Sequence, residues 1–328
     1  MKRIAVAGLS ALVAVSCAET AAAQTTLRFG KIPSTVRNVG SLYLHVAERK
    51  GYFAREGIRL QSVMIEGGTD RMVAAVDAGK VDLAHSSTPY LISAILKGSQ
   101  AVGIAGEVGN PVYTLVVRPE IRSYADLKGK TIALSVAADT ISITTRKLLA
   151  KHGVQDGDFK VRQLVGTPVR LKCLIAGECA GVPLGQPADI AAVRDGYRRL
   201  GDTTEAVGNF QFQLIVAQRP WAVANKDKVV SFVRAAADAF RFIRNPANRG
   251  ETIKLMMEQT GSNEGVARAV MALYFEPDRG VMPRQAEIDL KGLTQVIAFM
   301  GEAGTLAAPL PPVERFVDLQ YLKAAGLL

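Results

Sequence analysis

Cysteine is scarce: three in 328 residues, which excludes a small disulfide-built scaffold. The three histidines, His45, His85 and His152, lie far apart and lack the spacing of a metal site. Beyond the first 23 residues no apolar run approaches the roughly 18 residues that cross a bilayer as a helix. Basic residues exceed acidic ones, giving a formal charge of +10, yet no four stand together. That scatter argues against nucleic acid as a partner. Nucleotide and acyl-transfer motifs are missing too. Gly129-Lys130-Thr131 mimics the end of a phosphate-binding loop, but the earlier glycine it requires is Tyr124. Gly103, Gly106 and Gly109 do not form G-x-G-x-x-G, and there is no G-x-S-x-G elbow. No catalytic residue, metal or cofactor is expected, and the chain reads as a non-enzyme.

What is present begins with an export pattern. Lys2-Arg3 precedes an apolar stretch from Ile4 to Val15, and Ala21-Ala22-Ala23 before Gln24 offers an A-x-A cleavage site. Residues 1–23 therefore read as a secretory signal, and the mature chain as periplasmic. Cys17 after Ala14-Val15-Ser16 is a rival lipoprotein site, but Ala14 stands where Leu is usual, which favours free release. The two remaining cysteines, Cys173 and Cys179, suit one disulfide in an oxidising compartment, and equally two buried thiols.

One unit then recurs: a short apolar strand, a loop of Ser, Thr or Gly, an amphipathic helix, and a closing Gly. Strands are expected at 27–32, 60–65, 81–84 and 101–105, and again at 131–134, 161–165 and 181–184. A hydroxyl at a helix N-cap accepts from a free N–H, and Gly after the last turn takes a left-handed conformation cheaply. Strands alternating with helices imply an α/β protein with mainly parallel sheets. Right-handed crossovers align the intervening loops at the strands' carboxyl ends. After a strand at 211–217 the chain becomes helical, with Val229, Phe232, Val233, Ala236, Phe240 and Ile243 forming one stripe. Further helices are expected at 249–260, 264–275 and 284–303.

Two strand-rich sets and a helical tail imply two lobes. Lobe one is placed at 24–112 plus 216–328 and lobe two at 113–215, joined by a hinge of two strands. The loops at Ser34/Thr35, Gly68/Thr69, Ser86–Thr88, Ser135–Thr140 and Gly166/Thr167 each begin a helix, where free N–H groups favour an anion. Any one of them is first of all an N-cap; their spread over both lobes, facing one crevice, points to a ligand.

Gly51-Tyr52-Phe53-Ala54-Arg55-Glu56-Gly57-Ile58 resembles the GYF..EG signature of the nitrate/sulfonate/taurine group of periplasmic binding proteins. Ala78-Gly79-Lys80-Val81-Asp82, Asp126-Leu127-Lys128-Gly129-Lys130, Ala176-Gly177-Glu178 and the tail Phe316-Val317-Asp318 are similar in the same order. The resemblance implies a type II binding fold: a monomer that holds a small, anionic organic solute between its lobes. Sulfonate, taurine, nitrate and carboxylate are the ligand types implied, and an ABC permease with its ATPase is the implied partner. A sensing partner of a membrane receptor, or a periplasmic enzyme, is the alternative. By position, the ligand set it implies is Ser34, Thr35, Ser86, Ser87, Thr88, Ser135, Asp139, Thr140 and Thr167, with Gln186 in the loop after the strand at 181–184. Arg37, Arg170 and His85 are candidates for added charge, and Tyr90, Tyr113, Phe210 and Trp221 for an apolar wall. One departure stands out: Gly177-Glu178-Cys179-Ala180-Gly181 lacks the Asp of the family's G.VDA.

Overall fold

The computed structural model describes residues 24–137, 139–276 and 280–328, with the side chains of Ser34, Thr69 and Asp70 also outside the description. The secretory segment 1–23 lies outside the described residues. Among the described residues ten strands form two five-stranded sheets. The first holds β1 (Thr25–Lys31), β2 (Ile58–Met64), β3 (Leu83–Ser87), β4 (Ala101–Val108) and β10 (Gln213–Gln218), in the order β2-β1-β3-β10-β4. The second holds β5 (Thr114–Val117), β6 (Thr131–Leu134), β7 (Lys160–Gln163), β8 (Gly181–Leu184) and β9 (Arg198–Asp202), in the order β7-β6-β8-β5-β9.

The two orders are the same arrangement. In each sheet one strand runs against the other four: β10 is antiparallel to both β3 and β4, and β5 to both β8 and β9. In each case it is the strand that has just arrived from the other sheet. This is the α/β architecture of two lobes with mainly parallel strands. The return strand pairs along its whole length with the first sheet, so Gln213–Ile215 belong there and not with residues 113–212. The crossing segments are 109–113 and 203–212.

Local chemistry accounts for most boundaries. Gly51 and Gly57 both have φ of +70°, bracketing the one-turn helix Tyr52–Arg55 and turning the chain into β2. Asp82 shows what the Asp of the G.VD segment does. It accepts from the Arg28 backbone N–H at 2.8 Å and from the Arg28 guanidinium at 2.6 Å, tying the start of β3 to β1. The matching contact in the second lobe keeps only its backbone half, Ala180 N–H to Thr131 O at 2.8 Å. There the neighbouring Cys179 is bonded to Cys173, with Cα atoms 5.4 Å apart. In the first lobe Asp82 is thus a strand tie. Closing a loop of about seven residues lowers unfolded-chain entropy by about 2 kcal/mol. The Cys173→Ala/Cys179→Ala pair is therefore expected to lose about that much stability, read as a lower urea midpoint with an unchanged slope.

Three expectations are corrected. β9 was not foreseen: it is polar at its outer end, Arg198 and Arg199 being exposed, so it lacks an apolar signature. β5 is a paired strand of the second sheet rather than the crossing itself. The helix expected at 284–303 starts only at Leu290, capped by the Asp289 carboxylate accepting from the Gly292 N–H. Residues 284–287 instead fold back on themselves: the Glu287 carboxylate accepts from the Arg284 and Gln285 N–H groups at 2.7 Å. This segment lies on β4, where the Gly106 N–H donates to Ala286 O at 2.8 Å.

The first lobe has one continuous apolar core. Phe29, Phe53 and Phe232 stack in it, as do Tyr43 and Phe240, and the stripe of the helix Lys226–Arg244 is buried against it. The second sheet is covered on both faces by smaller clusters around Leu127 and Leu148 and around Leu174 and Val182.

Candidate ligand-binding cleft

The carboxyl ends of the parallel strands in both lobes point into one shared cavity of about 80 Å³. A pocket of about 150 Å³ accepts a benzene ring, so this one suits a compact solute. From the first lobe it is lined by Ile32, Thr35, Asn38, Ser41, His85, Ser87, Glu107 and Tyr274, and from the second by Tyr113, Ser135, Asp139, Gly166, Thr167, Arg170 and Gly185.

Arg170 dominates the second wall. It stands in the helix Thr167–Ile175, one turn after its start, and is 0% exposed. Its Nε donates to Pro183 O at 2.8 Å, Nη1 to Leu164 O at 3.3 Å and Nη2 to Thr167 Oγ1 at 3.4 Å, and the guanidinium lies 5.9 Å from the Tyr113 ring centre. All three hydrogen-bond partners are neutral, and the Asp139 carboxyl acts on the guanidinium only through its charge. Asp139 shares the wall at the N-cap of the helix Thr140–Lys151, and burial pushes its carboxyl up. Burial likewise holds the Tyr113 hydroxyl protonated, up to about 12.

The first wall carries a different group. Glu107 is 1% exposed and His85 2%. The Tyr43 hydroxyl donates to Glu107 Oε1 at 3.1 Å, and His85 Nδ1 stands 3.8 Å from the same oxygen. Burial raises Glu107 to about 8 and lowers His85 to about 4, so at neutral pH the acid is mostly protonated and the imidazole neutral.

Two side-chain hydrogen bonds join the lobes beside the cavity. Ser87 Oγ and Thr140 Oγ1 are 3.0 Å apart, and the Tyr274 hydroxyl donates to Gln186 Oε1 at 2.8 Å. Gln186 in turn donates to Asp189 Oδ2 at 3.0 Å.

The residues singled out from the sequence divide accordingly. Thr35, His85, Ser87, Tyr113, Ser135, Asp139 and Thr167 line the cavity. Thr140 and Gln186 stand behind it as lobe-to-lobe contacts. Three do not reach it. Ser86 faces the other side of β3 from His85 and Ser87, as alternation along a strand requires, and donates to Ser87 O. Thr88 donates to Gln211 O and Phe212 O, tying its helix to the second crossing. Arg37 is exposed at the outer mouth beside Val36 and Met64. Ser34 falls among the undescribed side chains. Trp221 and Phe210 lie away from the cavity. Glu107 was missed although it left a signal, the lone charged residue in an eight-residue strand that is otherwise apolar. Tyr274 left none, because it arrives through packing of the helical tail.

Two α/β lobes of identical strand order, closed on a cavity at their strands' carboxyl ends, make this a type II periplasmic-binding-protein fold. The chain belongs to the family described as NMT1/THI5 like, whose model matches residues 38–248. Its solved structural neighbours carry the same architecture. The periplasmic aliphatic sulphonate binding protein SsuA of Escherichia coli superposes with a TM-score of 0.68 at 19% identity, covering 89% of this chain and 92% of that one. The alkanesulfonate-binding protein SsuA of Xanthomonas axonopodis pv. citri, bound to MOPS, gives 0.66 at 20% identity over 90% and 99%. The periplasmic nitrate-binding protein NrtA of Synechocystis PCC 6803 gives 0.74 at 14% identity over 92% and 88%. Among the described residues no helix is long and apolar enough to cross a membrane, and no group of His, Cys, Asp and Glu is arranged to hold a metal.

Proposed function

We propose that this protein is the periplasmic receptor of an ABC importer, which closes on a small anionic organic solute and delivers it to a permease and its ATPase. The observation that carries this reading is Arg170: a fully buried cation in the cavity wall whose hydrogen-bond partners are all neutral and whose one opposing charge in the protein is the field of the Asp139 carboxyl. Burying an unpaired charge costs several kcal/mol, and a sulfonate or carboxylate in the cavity offsets that cost with charge-assisted hydrogen bonds. The secretory pattern of residues 1–23 and the Cys173–Cys179 bond support an extracytoplasmic setting. Binding is supported over catalysis by the hydroxyls nearest His85. Ser86 points away from it, and Ser87 is engaged with Thr140, so neither is poised as a nucleophile.

A thermal-shift screen over alkyl sulfonates, carboxylates, nitrate, amino acids and pyrimidines tests the reading. A true ligand at a hundred times its Kd adds about 2.7 kcal/mol, a rise of about 5 °C or more. A flat response to every anion overturns it.

A further inference from the structure

The bond that joins the lobes from Tyr274 to Gln186 does not end at Gln186. Asp189 stands three residues on, in the first turn of the helix Ala188–Arg194, and is 6% exposed. Its Oδ2 accepts twice, from Gln186 Nε2 at 3.0 Å and from Thr114 Oγ1 at 2.7 Å. Thr114 is the first residue of β5 past the crossing 109–113. It lies opposite Asp202, the last residue of β9 before the other crossing. Asp202 is buried too, and pairs with the exposed guanidinium of Arg199. Asp189 keeps one oxygen, Oδ1, buried without a partner in the protein. A second buried acid on this face of the sheet is a cost that a leucine would avoid.

We propose that Asp189 is a positioning residue for closure: it holds the Gln186 carboxamide with Oε1 turned towards the first lobe, ready for the Tyr274 hydroxyl. This rests on the reading that the lobes close on a solute. A carboxamide offers two donors at one end and an acceptor at the other. Asp189 Oδ2 already accepts from Thr114, so only the NH2 end of Gln186 can face it, and the carbonyl must face Tyr274.

Gln186 and Asp189 both belong to the second lobe, so their bond survives when the lobes part. Tyr274 belongs to the first lobe, on the helix Glu264–Phe275, and its bond to Gln186 breaks on opening. Closure therefore meets an acceptor already aimed, and little side-chain freedom is lost in making the bond. The donor needs that acceptor. Tyr274 is buried in the cavity wall, and burial pushes its hydroxyl up, so that it stays protonated. Closing without the bond would bury a hydroxyl and an amide unmatched, which is costlier than never having had either. Thr114 fixes Asp189 from behind, so the aim of Gln186 is set by the strand that leaves the hinge.

Nuclear magnetic resonance reads the aim and calorimetry reads its use. In the proton–nitrogen spectrum of the ligand-free protein, the Gln186 side-chain amide is assigned by its loss in Gln186→Leu. It is expected away from the free-glutamine position and slow to exchange. Asp189→Leu is expected to return it to that position. Asp189→Asn, whose amide oxygen still accepts from both donors, is expected to keep it. Calorimetric titrations then use ethanesulfonate, propanoate and nitrate, and any other anion the thermal screen returns. Asp189→Leu and Gln186→Leu are each expected to bind about fivefold more weakly, the worth of one hydrogen bond. The double variant is expected to lose about fivefold as well, and not about twenty-fivefold, because Asp189 acts only through Gln186. Asp189→Asn is expected to stay within about twofold of the wild type. A wild-type amide at the free position, or losses that multiply in the double variant, overturns the positioning role and leaves the receptor reading standing. Failure of every probe, with a flat anion screen, overturns the receptor reading and this role with it. If Asp189→Leu does not fold, the wild-type amide decides: a bonded position supports the role and a free one overturns it.

Discussion

Replacing Arg170 with methionine is expected to abolish ligand capture, with affinity falling at least about a hundredfold. Removing one partner of a buried, hydrogen-bonded charge pair costs about 2–5 kcal/mol. Here the guanidinium is the only cation lining the cavity among the described residues. The unliganded protein is expected to behave differently. An apolar side chain of similar volume relieves the desolvation of a buried cation, while Pro183 O and Leu164 O each lose a donor. These effects oppose, so the melting temperature without ligand moves little. Arg170→Lys keeps the charge but cannot reach all three acceptors at once, since an ammonium lacks the planar fork. It is expected to bind weakly, between the wild type and methionine. Titration calorimetry and thermal melts on the three proteins check this. Wild-type affinity in Arg170→Met would falsify the assignment of Arg170 to the anion.

Gly106→Ala carries the largest expected loss of stability. Gly106 sits in β4, next to Glu107, where the 284–287 segment lies directly on the strand. A Cβ there would stand 2.0 Å from Glu287 O and 2.9 Å from Glu287 C, both main-chain atoms. Neither backbone can yield without breaking the Gly106 N–H to Ala286 O bond. Overpacking of this kind costs about 3 kcal/mol, or about 5 °C in melting temperature. Because the strand shift also moves Glu107, ligand affinity falls with it. Gly250→Ala is the control: at the start of the helix Arg249–Thr260, an added Cβ meets nothing within 4 Å. Its melting temperature is expected to hold or rise, since alanine is the better helix former. A melt of Gly106→Ala indistinguishable from wild type would show that the 284–287 segment does not press on β4 in solution.

Much of the cleft was legible because it obeys local rules. Strand, hydroxyl-bearing loop and helix alternate, and a parallel sheet puts all such loops at one edge. That is why Thr35, Ser87, Ser135, Asp139 and Thr167 were found, although they are far apart in the chain. Alternation along β3 was legible too, and it separates His85 and Ser87 from Ser86.

The sequence by itself determined the order of elements, the placement of the hydroxyl-bearing loops at the strand ends and the two-lobed plan, because caps, glycines and apolar periodicity act over a few residues. Only the tertiary structure decided that Arg170 is wholly buried, that Arg37 stays outside, that Cys173 meets Cys179, and that Glu107 and Tyr274 reach the cavity. Burial and pairing depend on what the rest of the chain packs against a position. A charge costs nothing noticeable in water and several kcal/mol in a closed wall, so a residue's chemistry at this site follows from its neighbours in space rather than those in sequence.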